Sequence, residues 1–113
     1  MAKLSTQQQI FTGHVARLII YAHTLGIELT FGEAYRTEYQ QKEYLRTGKS
    51  KTMNSNHLRR LAVDFNFFIK GQLVWDHKLI TELGEFWEAL DTKNRWGGNF
   101  NNFKDTPHFE RNI

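Results

Sequence analysis

The chain has 113 residues and a formal net charge of +3, and this length predicts a single compact domain. It contains no cysteine, which excludes a disulfide framework and any thiolate metal site. No apolar stretch approaches the roughly 20 residues needed to span a bilayer, and the N-terminus lacks the pattern of a signal peptide. The sequence therefore predicts a soluble chain that is made in the cytoplasm.

The first predicted element is an amphipathic helix. Ser5 and Thr6 are each followed three residues later by glutamine, a capping-box pattern that indicates a helix start. Apolar residues then recur at helical spacing as far as Leu25, and Gly26 is typical of a helix end. Alternation in the next segment, IELTF (27–31), predicts a half-buried strand.

A second helix is predicted to begin after Thr37, which forms another capping box with Gln40, and to end near Leu45. The polar segment 48–56 that follows has the composition of a loop. Its basic residues, together with Arg59-Arg60, indicate either a solvated loop or a binding site for an anionic partner. Both interpretations stay open at this point.

The segment LAVDFNFFI (61–69) is predicted to form a strand that turns at Lys70-Gly71 into a second strand, QLVW (72–75). Alternation gives the first strand an apolar face, which we expect to be buried, and a face where Asp64 lies among small and polar residues. A charged carboxylate in such a run is costly to bury without a hydrogen-bonding or cationic partner. Asp64 is therefore either an exposed aspartate or a group presented to a cleft.

The last third of the chain is predicted to contain a helix and a terminal strand. Asp76 is expected to cap the helix, whose apolar residues from Leu79 to Leu90 form a buried stripe. The segment RWGGNF and a polar loop then lead to the terminal DTPHFE (105–110). The order helix, strand, helix, hairpin, helix, strand predicts an α+β domain, a small antiparallel sheet with flanking helices.

Three residues in or beside turn-rich segments form a candidate metal site. His57, Asp64 and His108 offer imidazole nitrogen and carboxylate oxygen, a suitable set for catalytic zinc with a fourth position open for water. His57 and Asp64 differ by an odd number of residues, so one straight strand would send them to opposite faces, and a bend between them is predicted. The other histidines are interpreted as surface, boundary or solvent-exposed positions: His14, His23 and His77.

A second carboxylate precedes the last candidate ligand. The only proline of the chain, Pro107, stiffens the approach to His108. If residues 105–108 form a turn, the Asp105 carboxylate lies close to the imidazole, where it can act as a general base toward a metal-bound water. The alternative is an aspartate that only starts the turn.

Three blocks of the sequence resemble the zinc peptidases of the D-alanyl-D-alanine carboxypeptidase and L-alanyl-D-glutamate endopeptidase family, which has the Hedgehog/DD-peptidase fold. The blocks are YRTEYQQ (35–41), SNHLRRLAVDF (55–65) and WGGNFNNFKDTPHFE (96–110). Their order and spacing together are specific, and they cover most of the chain from Phe31 onward. The ending and the short length are more similar to the phage-type endopeptidases (endolysins) than to the carboxypeptidases.

The resemblance implies a role for each matching residue. It makes His57, Asp64 and His108 the zinc ligands. Asp105 falls three positions before the last ligand, where the family keeps its catalytic carboxylate. Arg36 falls on the arginine that helps to polarise the substrate carbonyl and stabilise the oxyanion; outside this block it would be interpreted as a surface residue at a helix start.

One position departs from the family pattern. Many members have glycine where this chain has Arg60, so the turn between the first two ligands must accommodate a large side chain. Alternatively, Arg60 marks a subgroup that contacts a different part of the substrate.

The resemblance implies a single zinc peptidase domain over residues 1–113, without a separate wall-binding domain. Its substrate would be the peptidoglycan stem peptide, cut between L-alanine and D-glutamate, and it would act on the cell wall after release or as part of a virion. A D-alanyl-D-alanine carboxypeptidase is the alternative within the same chemistry. The alternative of another class is a non-enzymatic wall-binding or nucleic-acid-binding domain, the latter using four basic residues: Lys49, Lys51, Arg59 and Arg60.

Overall fold

A computed structural model describes residues 3–101 and 103–113, and it shows three α-helices and five strands in these ranges. The helices are α1 (Leu4–Thr24), α2 (Glu38–Arg46) and α3 (Lys78–Leu90). The strands are β1 (Ile27–Phe31), β2 (Ala62–Ile69), β3 (Gln72–Val74), β4 (Asn94–Trp96) and β5 (His108–Arg111). The predicted α+β architecture is confirmed. None of the described helices is both long and apolar enough to cross a lipid bilayer.

The sheet is antiparallel and is centred on β2. Its strand order is β1-β2-β5-β4, and β3 also pairs with β2. β1 pairs with residues 65–69 of β2, whereas β5 pairs with residues 62–64. This register sets Asp64 directly opposite His108. Because directly paired residues of antiparallel strands share a face, the register alone brings these two side chains together.

The opposite face of β2 is anchored in the hydrophobic core, as its alternation predicts. Val63, Phe65 and Phe67 are buried there with apolar residues of α1 and α3. Trp87 of α3 is fully buried, and its indole N–H lies within hydrogen-bonding distance of two carbonyls, 3.1 Å from Arg95 O and 3.0 Å from Glu110 O. The core therefore fixes β2, β4 and β5 from one side and leaves the Asp64 face available for a site.

The capping box predicted for α1 does not form. The helix begins one residue before Ser5, its N-cap is Lys3, and no side chain of the described residues caps it.

The caps of the other two helices are partly as predicted. Thr37 caps α2, since its Oγ1 accepts a hydrogen bond from the Gln40 N–H at 3.1 Å. The prediction that Asp76 caps α3 is wrong. His77 is the cap instead, because its Nδ1 accepts a hydrogen bond from the Leu79 N–H at 3.1 Å. An imidazole acceptor one residue later replaces the carboxylate, and His77 is consequently not the purely solvent-exposed residue expected.

The predicted hairpin turn is confirmed. Lys70 and Gly71 both have positive φ, 52° and 77°, which is the geometry of a two-residue turn between twisted antiparallel strands. The second strand ends at Val74, one residue before the predicted end.

Candidate metal centre

The bend between His57 and Asp64 is a short 3-10 helix, Asn56–Arg59, followed by a left-handed residue. Ser55 caps this helix, and its Oγ accepts a hydrogen bond from the His57 N–H at 3.2 Å. Arg60 then adopts φ 58° and ψ 38°, and the chain reverses into β2. The predicted transition from loop to strand is thereby confirmed.

Arg60 occupies a backbone conformation that suits glycine. The left-handed region costs a residue with a Cβ atom about 1–2 kcal/mol, which is the physical reason to expect glycine at this turn. The Arg60 guanidinium carbon lies 4.1 Å from the centre of the Tyr35 ring. This cation–π contact offsets part of the backbone cost and shows how the turn accommodates a large side chain.

The three predicted ligands meet in space. One ligand atom from each of His57, Asp64 and His108 lies within 4.8 Å of the others. Asp64 Oδ1 is 3.4 Å from His57 Nε2 and 3.2 Å from His108 Nδ1. Both imidazoles are buried, and they line a cleft of about 520 Å³. Residues separated by 44 positions in sequence are thus joined at one carboxylate oxygen.

Hydrogen bonds orient both rings so that one nitrogen of each faces Asp64. His57 Nδ1 lies 2.7 Å from the Ala34 carbonyl oxygen, to which it can donate, and this leaves Nε2 free. His108 Nε2 lies 2.7 Å from Glu110 Oε1, which leaves Nδ1 free. Partners of this kind fix the orientation of metal-binding histidines and raise the basicity of the nitrogen that binds.

Glu110 and Arg95 support the site and were not predicted from the sequence. Glu110 lies two positions after His108 on β5, so strand alternation places both on one face, and the HFE spacing was the available signal. Arg95 is paired with Glu110 across β4 and β5 and donates to its carboxylate from Nε at 2.8 Å. The Ala34 carbonyl carries no sequence signal, because any residue type supplies the same backbone acceptor.

The cluster holds its carboxylate ionised. Burial alone would raise the pKa of Asp64, but hydrogen bonds with His108 and His57 outweigh burial and hold that pKa well below its usual range. Burial would likewise lower the pKa of His108, but its hydrogen bonds with Asp64 and Glu110 raise it to about 9. An ionised carboxylate is the form that binds a metal ion, and a proton on His108 competes with such an ion.

Asp105 lies at the edge of the cluster. Its Oδ2 is 4.0 Å from His108 Nδ1, and its carbonyl accepts the His108 N–H at 3.0 Å, which confirms the predicted turn. Burial, together with the charge of Asp64, raises the pKa of the Asp105 carboxyl against the opposing charge of His108. A raised pKa makes the carboxylate a stronger proton acceptor, as a general base requires.

The backbone of Gly97 packs directly against the backbone of Asp105. The Asp105 N–H donates to the Gly97 carbonyl at 2.9 Å. A Cβ atom at residue 97 would lie 2.1 Å from the Asp105 carbonyl oxygen, so only glycine permits this approach. The indole N–H of Trp96 donates to the Thr106 carbonyl at 2.8 Å and fixes the same turn.

Arg36 lines the same cleft as His57 and is held rigidly. Its side chain is 11% exposed and is paired with Glu33. Its Nη1 donates to Gln41 Oε1 at 2.7 Å, and its guanidinium carbon lies 4.7 Å from the centre of the Tyr44 ring. These contacts place Arg36 at the cleft as an oriented cation, in contrast to a solvated residue at a helix start.

The donor set fits zinc. Two imidazole nitrogens and one carboxylate oxygen are ligands that this ion accepts, and three protein ligands leave a position for water or substrate. In each imidazole one nitrogen is hydrogen-bonded to the protein, and the other nitrogen faces Asp64 and is free to bind a metal ion. The site therefore has the ligands, the orientation and the ionised carboxylate that zinc requires.

The α+β fold thus presents, in an open cleft, a two-histidine, one-aspartate cluster with the ligand types of a catalytic zinc site. Residues 48–111 match a model of peptidase family M15 described as D-alanyl-D-alanine carboxypeptidase. The chain belongs to this family, whose peptidases depend on zinc. The family predicted from the three sequence blocks is confirmed.

Two curated relatives match most of this chain. The L-alanyl-D-glutamate peptidase of Listeria phage A118 is 33% identical over 99 residues, which are 86% of this chain and 35% of that protein. The peptidoglycan L-alanyl-D-glutamate endopeptidase CwlK of Bacillus subtilis (strain 168) is 30% identical over 104 residues, 75% of this chain and 61% of that protein. The chain thus spans about a third of the first relative's length and about three fifths of the second's.

Two solved structures share the fold. The Serratia marcescens L-Ala D-Glu endopeptidase ChiX is 27% identical with a TM-score of 0.69, covering 85% of this chain and 76% of its own. The vancomycin resistance D,D-pentapeptidase VanY, an E175A mutant in complex with Zn(II), is 16% identical with a TM-score of 0.60. The match covers 89% of this chain and 70% of the VanY chain. The predicted fold is confirmed by these likenesses, the second of which concerns the fold alone.

Proposed function

We propose that this chain is a zinc-dependent peptidoglycan peptidase that hydrolyses the stem peptide between L-alanine and D-glutamate and so acts on the cell wall. The observation that carries the proposal is the convergence of His57, Asp64 and His108 in a cleft with Asp105 at its edge. The names of the phage and Bacillus relatives and of ChiX support the choice of bond.

The residues of the cluster have separable roles in this reaction. When bound, zinc supplies a Lewis acid that polarises the substrate carbonyl and activates water. His57 Nε2, Asp64 Oδ1 and His108 Nδ1 would hold the ion. Asp105 would take a proton from the attacking water at its carboxylate and return it to the departing amine, and its raised pKa suits both transfers.

Arg36 would stabilise the negative oxygen that develops on the substrate carbonyl. Glu33 and Gln41 fix its guanidinium before the substrate arrives, so no reorganisation is needed during the reaction. A preorganised and largely buried cation stabilises such charge far more strongly than a solvated one does.

A D-alanyl-D-alanine carboxypeptidase is the second candidate, favoured by the description of the matching family model. The two functions differ in their products, because the carboxypeptidase releases free D-alanine whereas the endopeptidase frees the rest of the stem as one peptide. Mass spectrometry of the soluble products therefore distinguishes them.

The test uses the zinc-loaded protein on purified cell walls. We expect new amino groups to appear, and we expect the released peptides to begin with D-glutamate. Walls that gain no amino groups in the presence of zinc would contradict the proposed function.

Two substitutions separate metal binding from proton transfer. His57→Ala should lose both bound zinc and turnover, because it removes a ligand. Asp105→Ala should keep zinc and lower turnover by roughly 10²- to 10⁴-fold, because it removes only the proton acceptor. His23→Ala, at an exposed histidine in the last turn of α1, is the matched control and should change neither quantity. Normal turnover in Asp105→Ala would exclude its assigned role.

A further inference from the structure

The cleft carries two lysines that no carboxylate of the described chain neutralises. Arg36 and Arg95 also line the cleft, but each forms a salt bridge with a glutamate. Lys49 and Lys51 are exposed in the same lining, and no salt bridge joins either to residues 3–101 or 103–113. Two ammonium groups therefore face the space beside the candidate metal centre.

The loop that carries these lysines is attached to a buried side chain. Gln41 is fully buried on α2, and its Nε2 donates to Ser50 Oγ at 2.9 Å. The other end of the same amide accepts a hydrogen bond from Arg36 Nη1 at 2.7 Å. Ser50 lies between Lys49 and Lys51 in sequence, so one buried amide fixes both the loop and Arg36.

Aromatic rings support both ammonium groups. Lys49 Nζ lies 6.0 Å from the centre of the Tyr44 ring, and Lys51 Nζ lies 6.0 Å from the centre of the Phe103 ring. Both rings line the cleft. At this distance cation–π attraction is at the limit of its range, so the ammonium donors remain free for an anion.

The neighbouring basic residues do not extend this pair into a wider basic surface. Arg59 donates hydrogen bonds to Asn54 and Asn56, whereas Arg60 stacks on Tyr35. Neither arginine lines the cleft. In the basic segment 49–60, the two arginines are thus bound to residues of the same chain, whereas the two lysines line the cleft. This arrangement favours a small anionic group in the cleft over an extended polyanion.

We propose that Lys49 and Lys51 bind a free carboxylate of the stem peptide and thereby determine which peptides are cut. This inference rests on the proposed function, because it names a recognition element of the same cleft. A stem peptide can offer such a carboxylate at its D-glutamyl residue or at its C-terminus. The shared chemistry is an ammonium–carboxylate contact, which orients the substrate as well as attracting it.

The experiment compares a Lys49→Ala/Lys51→Ala double variant with a charge-matched control, Lys42→Ala/Lys93→Ala. The control removes two exposed lysines that do not line the cleft. Each protein is given three synthetic stem peptides. In one the D-glutamyl carboxylate is converted to the carboxamide, in the second the C-terminal carboxylate is converted, and the third is unmodified. KM and kcat are measured for each zinc-loaded protein, and peptide affinity is measured by calorimetry in an Asp105→Ala background.

For the unmodified chain, we expect amidation of the recognised carboxylate to raise KM about tenfold with a smaller effect on kcat. The Lys49→Ala/Lys51→Ala variant should have this higher KM already with the unmodified peptide. It should therefore no longer distinguish the unmodified peptide from the amidated one. The position whose amidation matters identifies the carboxylate. Replacing both lysines by arginine should restore the distinction, because the charge returns.

Two results would overturn the inference. One is a Lys49→Ala/Lys51→Ala variant that distinguishes acid from amide as well as the control does. The other is a loss of activity on whole walls but not on soluble peptides, which would assign the lysines to an anionic wall polymer. If the unmodified chain cuts no peptide, the proposed function fails, and calorimetry still decides whether the lysines bind the carboxylate.

Discussion

Arg60 shows how a single backbone conformation closes the turn between two candidate metal ligands, His57 and Asp64. It is left-handed, with φ 58°, directly after the helical turn that carries His57. We expect Arg60→Gly to have a free energy of unfolding about 1 kcal/mol higher than Arg60→Ala, because both lose the Tyr35 contact and only alanine keeps the left-handed strain. Urea unfolding of the two variants measures this difference. An alanine variant as stable as the glycine variant would show that the turn is unstrained.

His108 makes the metal-free chain sensitive to pH. Its pKa rises from the ordinary 6.5 to about 9 in the folded chain, through Asp64 and Glu110 and against burial. The folded state therefore binds this proton more tightly than the unfolded chain does. The resulting stability, up to about 3 kcal/mol, is fully present below pH 6.5 and is lost as the pH rises through about 9.

Thermal unfolding with a chelator present checks this sign. The melting temperature should fall between pH 6.5 and 9, and a His108→Ala variant should lack the fall. Saturating zinc should also remove it, because the ion and the proton compete for His108. A chelated protein that is equally stable at both pH values would contradict the assignment.

At the scale of elements, Gly97 joins the segment after β4 to the turn that carries Asp105. We expect Gly97→Ala to destabilise the chain by roughly 1–3 kcal/mol and to reduce turnover more than zinc affinity, since the new Cβ must displace the Asp105 backbone. Gly13→Ala is the matched control. It lies within α1 with open space around it, so it should raise stability by up to about 1 kcal/mol.

Turnover and zinc affinity of the Gly97→Ala variant are measured together. If turnover and zinc affinity both equal those of the unmodified chain, Gly97 does not position Asp105.

The elements were predictable where local chemistry decides them. Thr37 and its capping box, the Lys70-Gly71 turn and the alternation of β2 each depend on a few neighbouring residues. The α3 cap was mispredicted because two adjacent residues, Asp76 and His77, could both accept the hydrogen bond, and only the backbone geometry chooses between them. Local patterns therefore predict which elements form better than they predict where each begins.

At the scale of the whole molecule, the site depends on strand pairing that the chain's local pattern does not specify. Asp64 faces His108 because of the register between β2 and β5. The ligand set came from the resemblance and from residue types, whereas Ala34 and Gly97 act through backbone atoms that no motif reveals. Glu110 was predictable from its spacing to His108, once β5 was recognised as a strand.

The central claim is that one divalent ion is shared by three side chains that the fold brings together. Anomalous diffraction at the zinc absorption edge, from crystals grown with zinc, locates such an ion directly. We expect a single peak bonded to His57 Nε2, Asp64 Oδ1 and His108 Nδ1. Zinc bound at other residues, with these three atoms unliganded, would contradict the account.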